Sequence, residues 1–65
     1  MDFEKLKRKY GMKLITEDQM KEIEQCENIC IVNNGYSGFV IDCMWYSIIN
    51  IVNDKKIGEF TVYLK

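Results

Sequence analysis

The stretch from Gly38 to Val52 is apolar at almost every position, broken only by Asp42, Ser47 and Asn50. Side chains alternate across a β-strand. Read as one strand over 39–52, the run puts Phe39, Ile41, Cys43, Trp45, Ile49 and Ile51 on one face. Val40, Met44, Tyr46, Ile48 and Val52 take the other. Both faces are therefore apolar. One can pack under the chain's own helices, but the second then needs a partner, because monomers rarely expose a large contiguous apolar patch. A β-bulge near Asp42–Met44 would reset the phase and lessen the problem. A helix over 42–52 is the other reading, capped by Asp42, with Ser47, Asn50 and Asp54 on a polar stripe. The β-branched Ile48, Ile49, Ile51 and Val52 lose χ1 freedom in a helix and favour the strand.

Before this run the pattern is helical. Asp2 caps a short helix ending near Tyr10, with Phe3, Leu6 and Tyr10 at i, i+3 and i+7. Lys7, Arg8 and Lys9 fall in its last turns, where cations suit the dipole. Gly11 follows as the residue free to take positive φ. Met12–Ile15 is a connector or a short strand. Thr16 and Gln19 then form a Thr-x-x-Gln capping box, with Ile15 and Met20 as its hydrophobic staple. This second helix runs to Gln25 or Cys26, with Met20 and Ile23 on a buried stripe so thin that an apolar surface must lie beneath it.

Ile29–Val32 suits a buried strand. Asn34-Gly35 then predicts a tight hairpin turn, with a return strand over 37–44 and a further strand from Trp45 to Val52. After a turn at Asn53–Lys56, Gly58, Phe60, Val62 and Leu64 alternate with Ile57, Glu59, Thr61 and Tyr63. The expected fold class is α+β: two short N-terminal helices packed on a three- to four-stranded antiparallel β-meander, in one small domain spanning 1–65.

Composition sharpens the need for a partner. A 65-residue chain buries only about 60% of its unfolded surface, and scaffolds of this size lean on disulfides, a metal or oligomerisation. Cys26, Cys30 and Cys43 are an odd number, which points to reduced thiols in a cytoplasm. The N-terminus has no apolar signal region. The 38–52 run is too short and too polar to span a bilayer. A soluble, cytoplasmic protein with no membrane association is expected.

Candidate chemistry is nearly absent. The chain has no histidine, so the commonest general base and metal ligand is missing. The hydroxyls of Ser37, Ser47, Thr16 and Thr61 have no triad partner, and Gly35–Gly38 lacks the lysine of a phosphate-binding loop. Cys26 and Cys30 with Cys43 leave only Asp42 or Glu27 to complete a four-ligand zinc site. No catalytic residue, metal, cofactor or small-molecule substrate is expected, and the chain is not read as an enzyme.

The net charge of −1 gives no global attraction to nucleic acid. Charge is segregated, however. Residues 1–15 carry Lys5, Lys7, Arg8, Lys9 and Lys13 against Asp2 and Glu4, and residues 16–28 carry Glu17, Asp18, Glu22, Glu24 and Glu27 against Lys21. The two blocks can attract each other as solvated helix faces, or the second can serve as an acidic docking surface. The function expected is a non-catalytic protein-binding module whose partner is another protein or itself, as a homodimer through the sheet. Met44, Trp45 and Tyr46 are its candidate contacts because these residue types concentrate in interface cores, and Glu17, Glu22 and Glu24 are the acidic ones. The Lys-, Ile- and Asn-rich composition without an active site suits an accessory or inhibitor protein of a phage or mobile element. The alternative is a small nucleic-acid-binding protein using the basic N-terminal helix, with Lys55 and Lys56 at a hairpin tip.

Overall fold

A computed structural model describes residues 2–38 and 42–65. These described residues form two helices and a four-stranded sheet: α1 (Phe3–Tyr10), β1 (Lys13–Ile15), α2 (Glu17–Glu24), β2 (Ile29–Ser37), β3 (Cys43–Val52) and β4 (Lys55–Leu64). The helices begin where the sequence signals lie. The Asp2 carboxylate accepts from the Glu4 N–H at 3.2 Å. At α2 the capping box closes both ways, Gln19 N–H donating to Thr16 Oγ1 at 3.2 Å and Thr16 N–H to Gln19 Oε1 at 2.9 Å. Such a cap is worth about 1 kcal/mol.

The strand order is β1-β4-β3-β2. β2, β3 and β4 form the expected antiparallel meander. The expectation of a purely antiparallel sheet is corrected by β1, which pairs parallel to β4 through Lys13–Val62, Leu14–Tyr63 and Ile15–Leu64. Three residues between two helices give no hairpin signal. They are held instead by burial of Ile15 and by the Met12 N–H, which donates to the Thr61 carbonyl at 2.6 Å.

Residues 43–52 are strand, and the helical alternative falls away. The tight turn expected at Asn34-Gly35 is corrected. β2 runs straight through these residues, which form a bulge: Asn33 pairs with Tyr46 and Tyr36 with Met44, leaving Asn34 and Gly35 opposite Trp45 alone. Gly35 takes φ +93°, and its N–H is held by Asn33 Oδ1 at 2.8 Å. The positive φ that promotes a hairpin turn serves a bulge equally well. The separate return strand expected over 37–44 is corrected as well: Ser37 ends β2 and Cys43 begins β3, a single strand that continues to Val52. The Asn53–Lys56 turn narrows to two residues, Asn53 and Asp54, with φ 52° and 62° between the paired Val52 and Lys55. Gly11 also differs from expectation: its φ is −56°. Glycine is needed there because a Cβ would stand 2.4 Å from the Lys7 carbonyl oxygen, and Met12 takes the positive φ.

Both helices lie on one face of the sheet. Phe3, Leu6 and Tyr10 of α1 and Met20 and Ile23 of α2 close over Ile48, Phe60 and Val62, with Ile15 and Cys26 at the margins. Ile29, Ile31, Tyr46 and Leu64 are half-buried around this core. Phe3 reaches furthest, its ring 5.3 Å from that of Phe60.

Candidate functional site

The strand alternation of β3 is as the sequence implies over its described length. Met44, Tyr46 and Ile48 fall on the helix side; Cys43, Trp45, Ser47 and Ile49 fall on the other, while Phe39, Val40 and Ile41 lie outside the described residues. The three aromatic and methionine candidates therefore do not form one site. Trp45 belongs to the helix-free face and Met44 and Tyr46 to the helix-bearing one.

Pairing builds the helix-free face strand by strand. Trp45 stands opposite Tyr63, which is beside Leu14 of β1; Ile49 stands opposite Cys30 on one side and Glu59 on the other; Val32 stands opposite Ser47. Among the described residues no helix covers this face. Cys43, Ser47 and Tyr63 are buried within it, Trp45 and Ile49 are half-buried, and Leu14, Val32 and Ile51 are exposed around them. A polar band crosses the apolar surface. Asn34 Nδ2 donates to Ser47 Oγ at 2.8 Å, and Lys56 Nζ lies 2.5 Å from Glu59 Oε1. Lys56 first, then Ser47, holds the Glu59 carboxyl below its ordinary range. The face thus carries both signs of charge, already paired.

The acidic candidates separate too. Glu22 is half-buried beside α1: Tyr10 donates its hydroxyl to Oε2, and Lys9 Nζ lies 3.5 Å from Oε1. Those contacts, Tyr10 first, lower the Glu22 carboxyl from its usual range, while Tyr10 and Glu22 raise the Lys9 ammonium. This is the attraction between basic and acidic blocks in physical form. It also ties up Lys9, leaving Lys5, Lys7, Arg8 and Lys13 as exposed cations of the N-terminal segment.

Glu17 and Glu24 stand elsewhere, on the rim of a groove between α2 and the sheet. Its rim is Glu17, Lys21 and Glu24, and its floor is Met20 with Ile31, Tyr46 and Leu64 from β2, β3 and β4. The groove measures about 260 Å3, below the ~300–1,000 Å3 of drug-sized ligand pockets, and it is apolar below and charged above. Of the six contact residues inferred from sequence, three meet here: Glu17, Glu24 and Tyr46. Ile31 and Leu64 were missed because they converge from strands that only long-range pairing brings together. A second hollow, between the Gly11–Met12 turn and β4, is bordered by Lys7, Glu59, Phe60 and Thr61 and gathers no chemical constellation. No three Cys, Asp or Glu side chains among the described residues could hold a metal ion, and no described helix is long and apolar enough to cross a membrane. Comparison with protein families, with characterised proteins and with solved structures gives no match.

Proposed function

We propose that this chain is a non-catalytic protein-binding module that pairs with a second copy through the helix-free face of its sheet. One observation carries the reading: both helices sit on one face, while the other holds Trp45 and Ile49 ringed by exposed Leu14, Val32 and Ile51. Four strands ~4.8 Å apart and about eight residues long make a face of roughly 500 Å2. Cys43, Ser47 and Tyr63 are already buried in the single chain, so pairing two such faces buries less than about 1,000 Å2, in the range of weak, transient interfaces. A second copy suits the patch because its charges are internally paired, so like faces meet without net repulsion. The interface is small, and a reversible dimer follows. Cys26, Cys30 and Cys43 form no disulfide with one another, which suits a reducing compartment such as the cytoplasm.

Sedimentation equilibrium on the reduced protein tests this reading. A dimer that dissociates on dilution is expected. Trp45→Lys, which places a charge on this face, should leave a monomer with unchanged circular dichroism. A wild-type chain that stays folded and monomeric at every concentration overturns the proposal.

A further inference from the structure

The geometry points to β2 and the adjoining groove as the docking site for an extended, lysine- or arginine-bearing peptide segment of a partner protein. This rests on the protein-binding reading above and names the partner's chemistry. Two independent features converge. The first is the edge itself. β2 is the outer strand of the sheet, nine residues long, and Ile29-Cys30-Ile31-Val32-Asn33-Asn34-Gly35-Tyr36-Ser37 contains neither a charge nor a proline. Edge strands present a row of unpaired backbone donors and acceptors, and proteins ordinarily blunt them with charged residues or proline. The opposite side of the sheet follows that rule. β1 is only three residues long, and β4 beyond it carries Lys55, Lys56 and Glu59. β2 is interrupted only by the Asn34-Gly35 bulge, so 29–33 remains a regular template.

The second feature is the groove, which opens beside that template. Its lining starts at Ile31 on β2 and continues across Tyr46 to Leu64, under Met20. A strand added to β2 would send alternate side chains to the helix-bearing side of the sheet. One apolar side chain could then enter the groove, and its volume suits one or two side chains. This is the logic of strand addition: main-chain bonds hold the peptide and a pocket reads alternate residues. Charge selects the flanks. Glu17 and Glu24 stand on the rim with Lys21 between them, and both carboxylates are exposed, whereas Glu22 is occupied by Tyr10 and Lys9. The net negative rim favours cations on the incoming segment.

The probe is a fluorescein-labelled ten-residue peptide of alternating valine and lysine, compared with its valine–glutamate counterpart and with a copy N-methylated at alternate backbone nitrogens. Anisotropy should show saturable binding of the lysine peptide, at least tenfold weaker binding of the glutamate peptide, and none of the N-methylated one. Glu17→Lys combined with Glu24→Lys should weaken the lysine peptide about tenfold while leaving circular dichroism unchanged. Hydrogen exchange should show new protection within 29–33 on peptide addition. The Trp45→Lys variant must bind the peptide as wild type does, since Trp45 is on the other face; the groove and the dimer therefore fail separately. Absence of binding, binding indifferent to the two glutamates, or binding without protection of β2 overturns the proposal. So does protection of 29–33 that rises with protein concentration alone, because a second copy would then be the occupant of the edge.

Discussion

Gly58 lies on the helix-bearing side of β4, opposite Asn50, directly beneath Phe3. A Cβ there would stand 2.9 Å from Phe3 Cε2, with Cζ at 3.5 Å and Cδ2 at 3.6 Å. Carbon atoms settle at about 3.5–4.0 Å, so Gly58→Ala must push the ring away by roughly 0.6–1 Å. The ring has nowhere easy to go, because Phe3 is 6% exposed and already tilted at 53° against Phe60. Overpacking of this kind costs about 1–3 kcal/mol. Replacing glycine within a strand returns about 0.5–1 kcal/mol. The net expectation is a loss of roughly 1 kcal/mol, a visible fraction of the ~3–10 kcal/mol that a chain this long commands. Phe3→Leu removes the obstructing ring atoms and should cost about 1 kcal/mol alone. In that background Gly58→Ala should become neutral or stabilising. Urea unfolding at one fixed protein concentration, followed by circular dichroism, gives the four free energies of the cycle. A coupling of about 1–2 kcal/mol is expected. Additivity within ~0.5 kcal/mol would refute the packing argument, since the cost of the alanine would then have nothing to do with Phe3.

Two further perturbations follow from local geometry. The Glu22 carboxyl is lowered by Tyr10 and then Lys9, so its contribution to stability is present above the unfolded value of 4.5 and is lost as pH falls through the lower folded value; Glu22→Gln should flatten the acid limb of stability against pH, and an unchanged limb would count against the Tyr10–Glu22–Lys9 cluster. Asp54 sits at φ 62° in the two-residue turn after β3, where glycine is free of the Cβ penalty; Asp54→Gly should raise the urea midpoint by the equivalent of about 0.5–1 kcal/mol, and a lowered midpoint would contradict the turn geometry.

What the sequence disclosed was what short-range physics decides. Thr16 and Gln19 lie three residues apart and cap α2 wherever it packs. Phe3, Leu6 and Tyr10 define the buried stripe of α1 by periodicity alone. The two-faced character of Trp45 and Tyr46 follows from alternation once the strand is granted. The errors lie where a local signal has two outcomes. Asn34-Gly35 satisfies a turn or a bulge equally, and the choice falls to pairing of Ile29–Asn33 with Tyr46–Asn50, which no window of neighbouring residues contains. β1 has only three residues, too few for any period to show. The candidate site was legible as residue types and not as places: Glu17, Glu22 and Glu24 look alike along α2, yet Tyr10 and Lys9 reach only Glu22.

The one-sided placement of the helices has a thermodynamic consequence that can be measured without knowing any partner. A 65-residue chain without a disulfide has a small core, centred on Ile23, Ile48 and Val62. Stability that comes from pairing two sheet faces enters through mass action. For a dimer that unfolds to two chains, each tenfold rise in concentration adds about 1.4 kcal/mol per dimer, or roughly 0.7 kcal/mol per chain. At ~4–8 °C per kcal/mol for a domain of this size, Tm should climb by about 3–6 °C per decade of protein concentration above the dissociation constant. Trp45→Lys should abolish that slope and unfold at the Tm that the wild type approaches on dilution. A wild-type Tm independent of concentration would mean that the helix side alone stabilises the fold. The exposed ring of Leu14, Val32 and Ile51 would then be a surface the monomer tolerates in water, and Trp45 would lose its claim to an interface.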